Sequence, residues 1–271
     1  MVGGSEVVVL FDRACEGGDA NGCHEAFVHY ACGVGVGRDM RKAAERAALA
    51  CDRGLVASCS NAGVSYLSLP DATPHEVDRA VRALRKGCDA KNIPACNNLG
   101  GAMLQGTGVP RDEAGAVALF TKLCDDAHNA PSCGNLGYMY FTGLGVAKDV
   151  VRGMTLAKKG CDGGDPNSCN MVGYGYMDGD ADAGSAVLAS TYFDRACKAG
   201  HAAACDNLGA LYVLGKGGEP DAQRAEGLFR RACEGGNAPA CTHLALVLQE
   251  KAAAAAPPAW RYDPARTATT Y

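Results

Sequence analysis

Cysteine is the residue type whose number and spacing in this sequence could do chemistry. The chain has 271 residues and 15 cysteines, and a cysteine can form a disulfide, bind a metal ion or fill a small core position. Fourteen of the cysteines fall into seven pairs, with seven residues between the partners in six pairs and eight in the other. In chain order the pairs are Cys15/Cys23, Cys51/Cys59, Cys88/Cys96, Cys124/Cys133, Cys161/Cys169, Cys197/Cys205 and Cys233/Cys241, and Cys32 is left over.

The pairs mark an internal repeat, because their first cysteines recur every 36 or 37 residues. Apolar residues precede each first cysteine at helical spacing, and a second helical pattern follows each second cysteine. We therefore expect one helix to end at each first cysteine and the next helix to start at the second, with a short loop between them. Aspartates stand near the starts of the helices that precede the first cysteines, where a carboxylate caps free N–H groups. These predicted caps are Asp39, Asp112, Asp149 and Asp221.

Glycine recurs at two places in the repeat. One glycine lies four residues after the second cysteine, as at Gly137 and Gly209, where close approach of a neighbouring helix backbone would explain the loss of helix propensity. Others form turns between the two helices, as in Gly106-Thr107-Gly108, where glycine ends a helix in a left-handed conformation. Residues 68–71 and 179–182 depart from this turn pattern, and we expect irregular turns at both.

Stacked helical hairpins are the fold that this repeat predicts, because one hairpin cannot bury both of its faces. We expect an all-α solenoid with 14 helices. It opens on a helix near residues 5–16, continues through seven hairpins and closes with the helix after Cys241. Residues 1–250 form the solenoid, and residues 251–271 form an Ala/Pro-rich, mobile tail whose Trp260 caps the last repeat.

The segments Cys96-Asn97-Asn98-Leu99-Gly100 and Gly106-Thr107-Gly108-Val109 resemble the Sel-one-like repeat, a relative of the tetratricopeptide repeat. The added cysteine pairs resemble the cysteine-rich Hcp-type branch, often catalogued as the hcp β-lactamase family. The resemblance implies a right-handed α/α superhelix in which each cysteine pair is a disulfide between adjacent helices. Antiparallel helix ends suit the Cα separation of a disulfide, about 4.4–6.8 Å. Reduced core thiols and zinc binding are the alternatives, and Cys32 is expected to be an unpaired, partly buried thiol, with an intermolecular bridge or a reactive site as its alternatives.

Catalytic signatures are missing from the sequence. No serine has a lysine three residues on, as the serine β-lactamases require, and the histidines of His24-Glu-Ala-Phe-Val-His29 are one residue too far apart for a zincin site. Gly33-Val-Gly-Val-Gly37 follows a predicted helix rather than the strand that a nucleotide-binding loop needs. We therefore expect no catalytic residue, no metal and no cofactor.

A scaffold that binds a protein or peptide on its concave face is the predicted function, with the first helices of the repeats, from Ala26 to Leu244, lining that face. Asparagines recur there two residues after the second cysteine and could hold a peptide backbone, or else bond to neighbouring repeats or cap helices. These candidate binding residues are Asn61, Asn98, Asn135 and Asn207. A β-lactam-binding protein with weak hydrolase activity is the alternative function.

The net charge and the cysteine content limit the classes of partner and the cellular compartment that we expect. The net charge is −4 without a basic stripe, and no apolar run reaches 18 residues, so neither nucleic-acid binding nor a membrane span is expected. We expect a monomer. Stable disulfides imply an extracytoplasmic or secreted protein, although no signal peptide is visible. The mitochondrial intermembrane space, or a cytoplasmic protein with reduced thiols, is the alternative.

Overall fold

Helices make up all the regular structure in the described part of the chain. The computed structural model describes residues 4–178, 183–216 and 219–255, and these contain fourteen helices and no strand. The helices are α1 (Gly4–Glu16), α2 (Ala20–Cys32), α3 (Met40–Asp52), α4 (Ala57–Leu67), α5 (Pro74–Asp89), α6 (Ile93–Gln105), α7 (Glu113–Asp125), α8 (Ala130–Thr142), α9 (Val150–Asp162), α10 (Pro166–Asp178), α11 (Ala183–Lys198), α12 (Ala202–Leu214), α13 (Ala222–Glu234) and α14 (Ala238–Ala255). The predicted number of helices and the opening helix are confirmed.

Two kinds of helix alternate along the chain. Even-numbered helices carry the second cysteine of a pair near their start and are called A helices here. Odd-numbered helices carry the first cysteine at their end and are called B helices. Six A–B hairpins lie between α1 and α14, so the expectation of seven at this place is wrong. Seven is instead the number of cysteine pairs in the sequence. The chain divides into two compact units, Met1–Ser168 and Cys169–Tyr271.

Side chains cap the B helices as the sequence predicts. Asp39, Asp112, Asp149 and Asp221 each precede a B helix and accept a hydrogen bond from the backbone N–H three residues on. Each bond satisfies an N–H group that the first turn of a helix leaves free.

Most A helices end on a left-handed glycine. Gly33, Gly106, Gly143 and Gly215 have φ between 61° and 81° at these ends. Helix α4 instead ends at Ser68 with φ −87°, which confirms the irregular turn predicted there. Residues 179–182, the other expected irregular turn, lie outside the described residues, as does Trp260.

The recurrent glycine inside the A helices makes room for a side chain in three repeats. At Gly137 a helix backbone approaches, as the sequence suggested, since a Cβ atom on Gly153 of α9 would lie 2.9 Å from the Gly137 carbonyl oxygen. A Cβ atom on Gly100 would lie 2.7 Å from the ring of Phe120 in α7. Gly173 and Gly209 meet the rings of Phe193 and Phe229 in the same way, at 2.5 and 2.7 Å. The B helix therefore inserts a large apolar side chain, buried in each case, into the notch that glycine leaves.

A cation two residues before the first cysteine ties successive B helices together. Lys86 Nζ donates to the carbonyl of Asp52 at 2.9 Å, and Lys159 Nζ donates to the carbonyl of Cys124 at 3.1 Å. Arg231 reaches the carbonyl of Lys198 at 3.4 Å. These carbonyls end a helix and lack intrahelical partners, so a cation from the next repeat stabilises them.

None of the helices in the described ranges combines the length and the apolar character needed to span a bilayer.

Candidate binding surface on the A helices

The cysteine pairs hold each A helix to the B helix before it. In six of the bridges the sulfur atoms lie 1.95–2.10 Å apart and the Cα atoms 4.4–4.7 Å apart. These six are Cys15–Cys23, Cys51–Cys59, Cys88–Cys96, Cys124–Cys133, Cys197–Cys205 and Cys233–Cys241. Cys161 and Cys169 are disulfide-bonded as well. The pairs are therefore disulfides, as the family resemblance implied, and not reduced thiols or zinc ligands.

The second cysteine of a pair lies inside the A helix, so the expectation that the helix starts at this cysteine is wrong. Cys59 is the third residue of α4, and Cys133 and Cys205 are the fourth residues of α8 and α12. Helices α8 and α12 begin earlier because a side chain caps them. Asn129 Oδ1 accepts a bond from the N–H of Ser132 at 3.0 Å, and His201 caps α12 in the same way. The bridge therefore clamps the first turn of the A helix rather than the loop before it.

Most of the bridges are buried, although Cys241 in the last bridge is exposed. Cys59, Cys133 and Cys205 are exposed at only 0%, 1% and 1%. Each bridge closes a loop of eight or nine residues, so it fixes the start of the A helix locally. These cysteines therefore act as structural staples that position the neighbouring side chains.

Cys32 is a free thiol, as expected, but it is exposed rather than partly buried. It is the last residue of α2, directly before the left-handed Gly33. The helix ends there, so no following turn covers the side chain.

Three of the four predicted asparagines bond to the preceding repeat. Asn98 Nδ2 donates to Ser60 Oγ at 3.1 Å, and Asn135 Nδ2 donates to Asn97 Oδ1 at 3.1 Å. In the second unit, Asn207 Nδ2 donates to Asn170 Oδ1 at 3.0 Å. Each donor lies two residues after its cysteine and each acceptor lies one residue after the previous A helix's cysteine. Asn61 forms no such bond among the described residues.

Further polar contacts extend these rungs between A helices. His24 Nδ1 lies 3.0 Å from Ser58 Oγ, and Ser132 Oγ donates to Asn97 Oδ1 at 2.8 Å. His243 Nδ1 lies 2.7 Å from Asp206 Oδ1 in the second unit. A row of side-chain hydrogen bonds therefore crosses the A helices of each unit. The asparagine donors were identified from the sequence, but their acceptors, which lie 37 or 38 residues away, were missed.

Apolar side chains stand exposed one helical turn beyond the rungs. The residue five positions after the second cysteine is Val28 in α2, Val64 in α4 and Tyr138 in α8, with exposed fractions of 37%, 45% and 48%. Its equivalents in the second unit are Tyr174 and Leu246, at 52% and 53%. We call these residues the exposed stripe. In the other two A helices, α6 and α12, this position is a glycine and an alanine. The exposed stripe was not identified from the sequence. The signal that could have revealed it is an apolar residue that recurs at one position of the repeat, outside the buried face of the helix.

Two sequence motifs have structural roles. His24 and His29 bond to different partners, Ser58 Oγ and the carbonyl of Val34. Within the described ranges, no group of three or more His, Cys, Asp or Glu side chains could hold a metal ion. Gly33 and Gly35 have φ of 72° and 76° and form the turn that ends α2, so Gly33–Gly37 follows a helix, as predicted.

Several solved structures are similar to this chain. The chain is 25% identical to c5321, a protective antigen of uropathogenic Escherichia coli that displays an SLR fold, with a TM-score of 0.62; 93% of this chain and 53% of that one are covered. A Sel1 repeat protein from Oxalobacter formigenes is 24% identical, with a TM-score of 0.67 and coverages of 88% and 68%. Cysteine rich protein B of Helicobacter pylori is 24% identical, with a TM-score of 0.37 and coverages of 49% and 95%. The chain thus spans about half the length of the E. coli antigen.

Sequence comparison gives the family. No curated protein matches the chain significantly. The sequence profile of the Sel1 repeat matches five segments, residues 20–55, 93–128, 130–165, 166–201 and 202–237. The hairpin α4–α5, which lacks the glycine turn, falls between the first two matches. Since the matches cover more than half of the sequence, the chain belongs to the Sel1 repeat family.

Proposed function

We propose that the A-helix surface binds a segment of another protein, and that the chain is a disulfide-stapled scaffold for this contact. The exposed stripe carries the proposal. Val28, Val64 and Tyr138 occupy one position of the repeat in the first unit, and all three are exposed. Single exposed apolar residues are ordinary, but apolar residues repeated on one face form a surface that a partner can cover.

Polar groups beside the stripe suit the backbone of a bound segment. Asn98 and Asn135 use their amide nitrogens within the protein, which leaves the side-chain oxygens to accept a bond from a peptide N–H. Asn61 has both amide groups available among the described residues. Asn207 Oδ1 already accepts a bond from Tyr174 at 3.1 Å, so its contribution to binding is the smallest of the four.

Rigidity favours such binding. The disulfide at the start of each A helix and the rungs between A helices fix the stripe before a partner arrives. A surface that is ordered in advance loses less conformational entropy on association.

A library of random-sequence peptides tests the proposal. We expect the wild-type protein to enrich peptides with apolar or aromatic side chains, and the triple variant Val28→Ser/Val64→Ser/Tyr138→Ser to bind them about tenfold or more weakly. The matched control is Val151→Ser, which changes a 78% exposed valine on the B helix α9 and should bind like wild type. Enrichment of no peptide, or equal binding by the triple variant, would show that the stripe is not the binding surface.

A second variant separates the asparagines from the stripe. We expect Asn98→Ala/Asn135→Ala to weaken binding of the same peptides as well as stability. If stability falls while peptide affinity stays at the wild-type value, the asparagines are structural and the proposed peptide contacts are wrong. Circular dichroism melts of each variant give the stability.

We propose an oxidising, extracytoplasmic location, because seven disulfides formed by fourteen of the 15 cysteines would not persist in a reducing cytosol. The β-lactam-binding alternative gains no supporting observation from the described residues.

A further inference from the structure

The first helix carries an exposed face that the remaining B helices lack. Glu6, Val9, Leu10 and Arg13 have the spacing i, i+3, i+4, i+7, so they share one face of α1, and all four are solvent-accessible. Val9 and Leu10 are exposed at 48% and 55%. Other B helices have polar or small residues at the position of Val9. These are Glu45, Arg82, Ala118, Thr155, Thr191 and Gly227.

Two positions of this face, those of Leu10 and Arg13, are ones at which later B helices contact the preceding B helix, whereas the position of Val9 is exposed in the later B helices as well. Arg46, at the position of Leu10, bonds to Asp12 of α1 at 2.7 Å. Lys86, at the position of Arg13, donates to the carbonyl that ends α3. In α1 the same positions meet no described helix, and neither Glu6 nor Arg13 has an ion-pair partner in the described ranges. We call Glu6, Val9, Leu10 and Arg13 the α1 face.

We propose that the α1 face is a self-association surface on which a second copy of this chain packs its own α1 antiparallel. The order of the charged and apolar residues along α1 determines how two copies of the helix can pair. Glu6 lies three residues before Val9, and Arg13 lies three residues after Leu10. The charged pair and the apolar pair therefore share one midpoint along the helix. A two-fold axis through that midpoint sets Val9 against Leu10 of the second copy and Glu6 against Arg13 of the second copy, twice over.

Other arrangements of two α1 helices are less complementary. A parallel pairing would place Glu6 against Glu6 and Arg13 against Arg13, which repel each other. The antiparallel pairing buries the apolar centre and joins opposite charges at both ends. It is also closed, because a two-fold contact uses the same patch on both copies and ends at a dimer.

The contact is small, and its affinity follows from its size. Helix α1 has 13 residues, and one turn-spaced face of it buries less than the roughly 1,000 Å² typical of a stable interface. The dimer therefore forms at high protein concentration and dissociates on dilution. The sequence-based expectation of a monomer is then a prediction for the dilute protein alone. The α1 face is separate from the exposed stripe, so loss of peptide binding would leave this proposal standing.

Sedimentation equilibrium of the full chain, from about 10 µM to about 1 mM, tests the proposal over the affinity range of a small interface. Wild type should pass from monomer to dimer. Leu10→Asp should stay monomeric throughout, because it places a charge at the apolar centre. Val151→Asp, which changes a still more exposed valine on α9, should dimerise like wild type.

Charge reversal tests the antiparallel geometry. Glu6→Arg and Arg13→Glu should each weaken dimerisation about tenfold, because each change breaks both reciprocal ion pairs. The double variant Glu6→Arg/Arg13→Glu should return to within about threefold of wild type. A wild-type protein that stays monomeric, a dimer unaffected by Leu10→Asp, failure of the double variant to recover, or growth beyond a dimer would each overturn the proposal. Circular dichroism confirms that every variant is folded.

Discussion

The amide nitrogen of Asn135 donates to the side-chain oxygen of Asn97 at 3.1 Å, although the two residues lie 38 positions apart in sequence. The same oxygen accepts a bond from Ser132 Oγ at 2.8 Å. Asn97 therefore joins α6 to two side chains at the start of α8. Its removal leaves the half-buried amide of Asn135 without this acceptor, whereas Ser132 Oγ keeps Asn129 Oδ1 at 2.7 Å.

Replacement of Asn97 by alanine should lower the free energy of unfolding by about 1–2 kcal/mol, because it removes the contacts to two side chains and leaves the amide of Asn135 without this acceptor. Asn135→Ala should cost less, about 0.5–1 kcal/mol, since it removes only one bond. Asn61→Ala is the control, because this side chain bonds to no described residue. Urea unfolding of the three variants gives the order, and a cost for Asn61→Ala equal to that of Asn97→Ala would contradict it.

Two adjacent glycines of α6 should respond in opposite directions to alanine. A Cβ atom on Gly100 lies 2.7 Å from the buried ring of Phe120, whereas one on Gly101 meets nothing within 4 Å. Gly100→Ala should destabilise the protein by about 1–3 kcal/mol through overpacking. Gly101→Ala should stabilise it by up to about 1 kcal/mol, because alanine is the better helix former. Thermal melts distinguish the two, and a gain in both variants would show that the notch is not filled.

Two tyrosines should make the protein sensitive to alkali. A hydrogen bond to Asp12 raises the pKa of Tyr30 to about 12, and burial raises the pKa of Tyr66 to about 12. In both cases the folded state favours the neutral phenol. The stabilisation is therefore complete below the unfolded pKa, about 10, and is lost as the pH rises from there through about 12.

Phenylalanine variants separate the two tyrosines. Tyr30 Oη donates to Asp12 at 2.7 Å, so Tyr30→Phe should cost about 1 kcal/mol near neutral pH. Tyr66 Oη is buried without a hydrogen-bond partner among the described residues, so Tyr66→Phe should be nearly neutral there. Each variant should lose less stability than wild type between about pH 8 and about pH 11. Urea unfolding at both pH values measures this, and an unchanged pH dependence in both variants would refute the assignment.

Removal of a single disulfide should lower the stability of the protein by a measurable amount. Each bridge closes a short loop, so the chain-entropy model gives about 2–3 kcal/mol per disulfide. Removal of the buried bridge between Cys51 and Cys59, in Cys51→Ala/Cys59→Ala, should therefore lower Tm. Cys32→Ser, at the exposed free thiol, should leave it unchanged. The unreduced wild-type protein should react with a thiol reagent at one site, and reductant should lower its Tm. Several reactive thiols before reduction, or a Tm indifferent to reductant, would contradict the disulfides.

Local features of the fold could be predicted from the sequence because they lie within one helix or one turn. Asp39 and its equivalents cap the helices that they precede, and the 36- or 37-residue spacing of the cysteines set the repeat. Helix starts were less certain, since the cap of α8 is Asn129 and not a residue beside Cys133. Contacts between repeats were harder. The spacing of Gly100 indicated that something approaches closely, but whether a backbone or the ring of Phe120 does so depends on the helix register.

Only part of the candidate binding surface could be predicted from the sequence, because its hydrogen bonds join different repeats. A side chain's partner 38 residues away, such as Asn97 for Asn135, follows from how repeats stack and not from local pattern. The exposed stripe, in contrast, could have been found, because Val28, Val64 and Tyr138 share one position of the repeat.

The short spacing of the cysteines has a consequence for synthesis. As the chain emerges, the correct partner of each first cysteine follows eight or nine residues later, well before the next repeat is made. Because nearby chain segments meet at the lowest entropic cost, native pairing is also the kinetically favoured order of oxidation. The one local competitor is Cys32, nine residues after Cys23, so scrambling should concentrate at the first repeat. Oxidative refolding of the full-length chain should therefore yield mostly native bridges, with Cys23–Cys32 as the principal error.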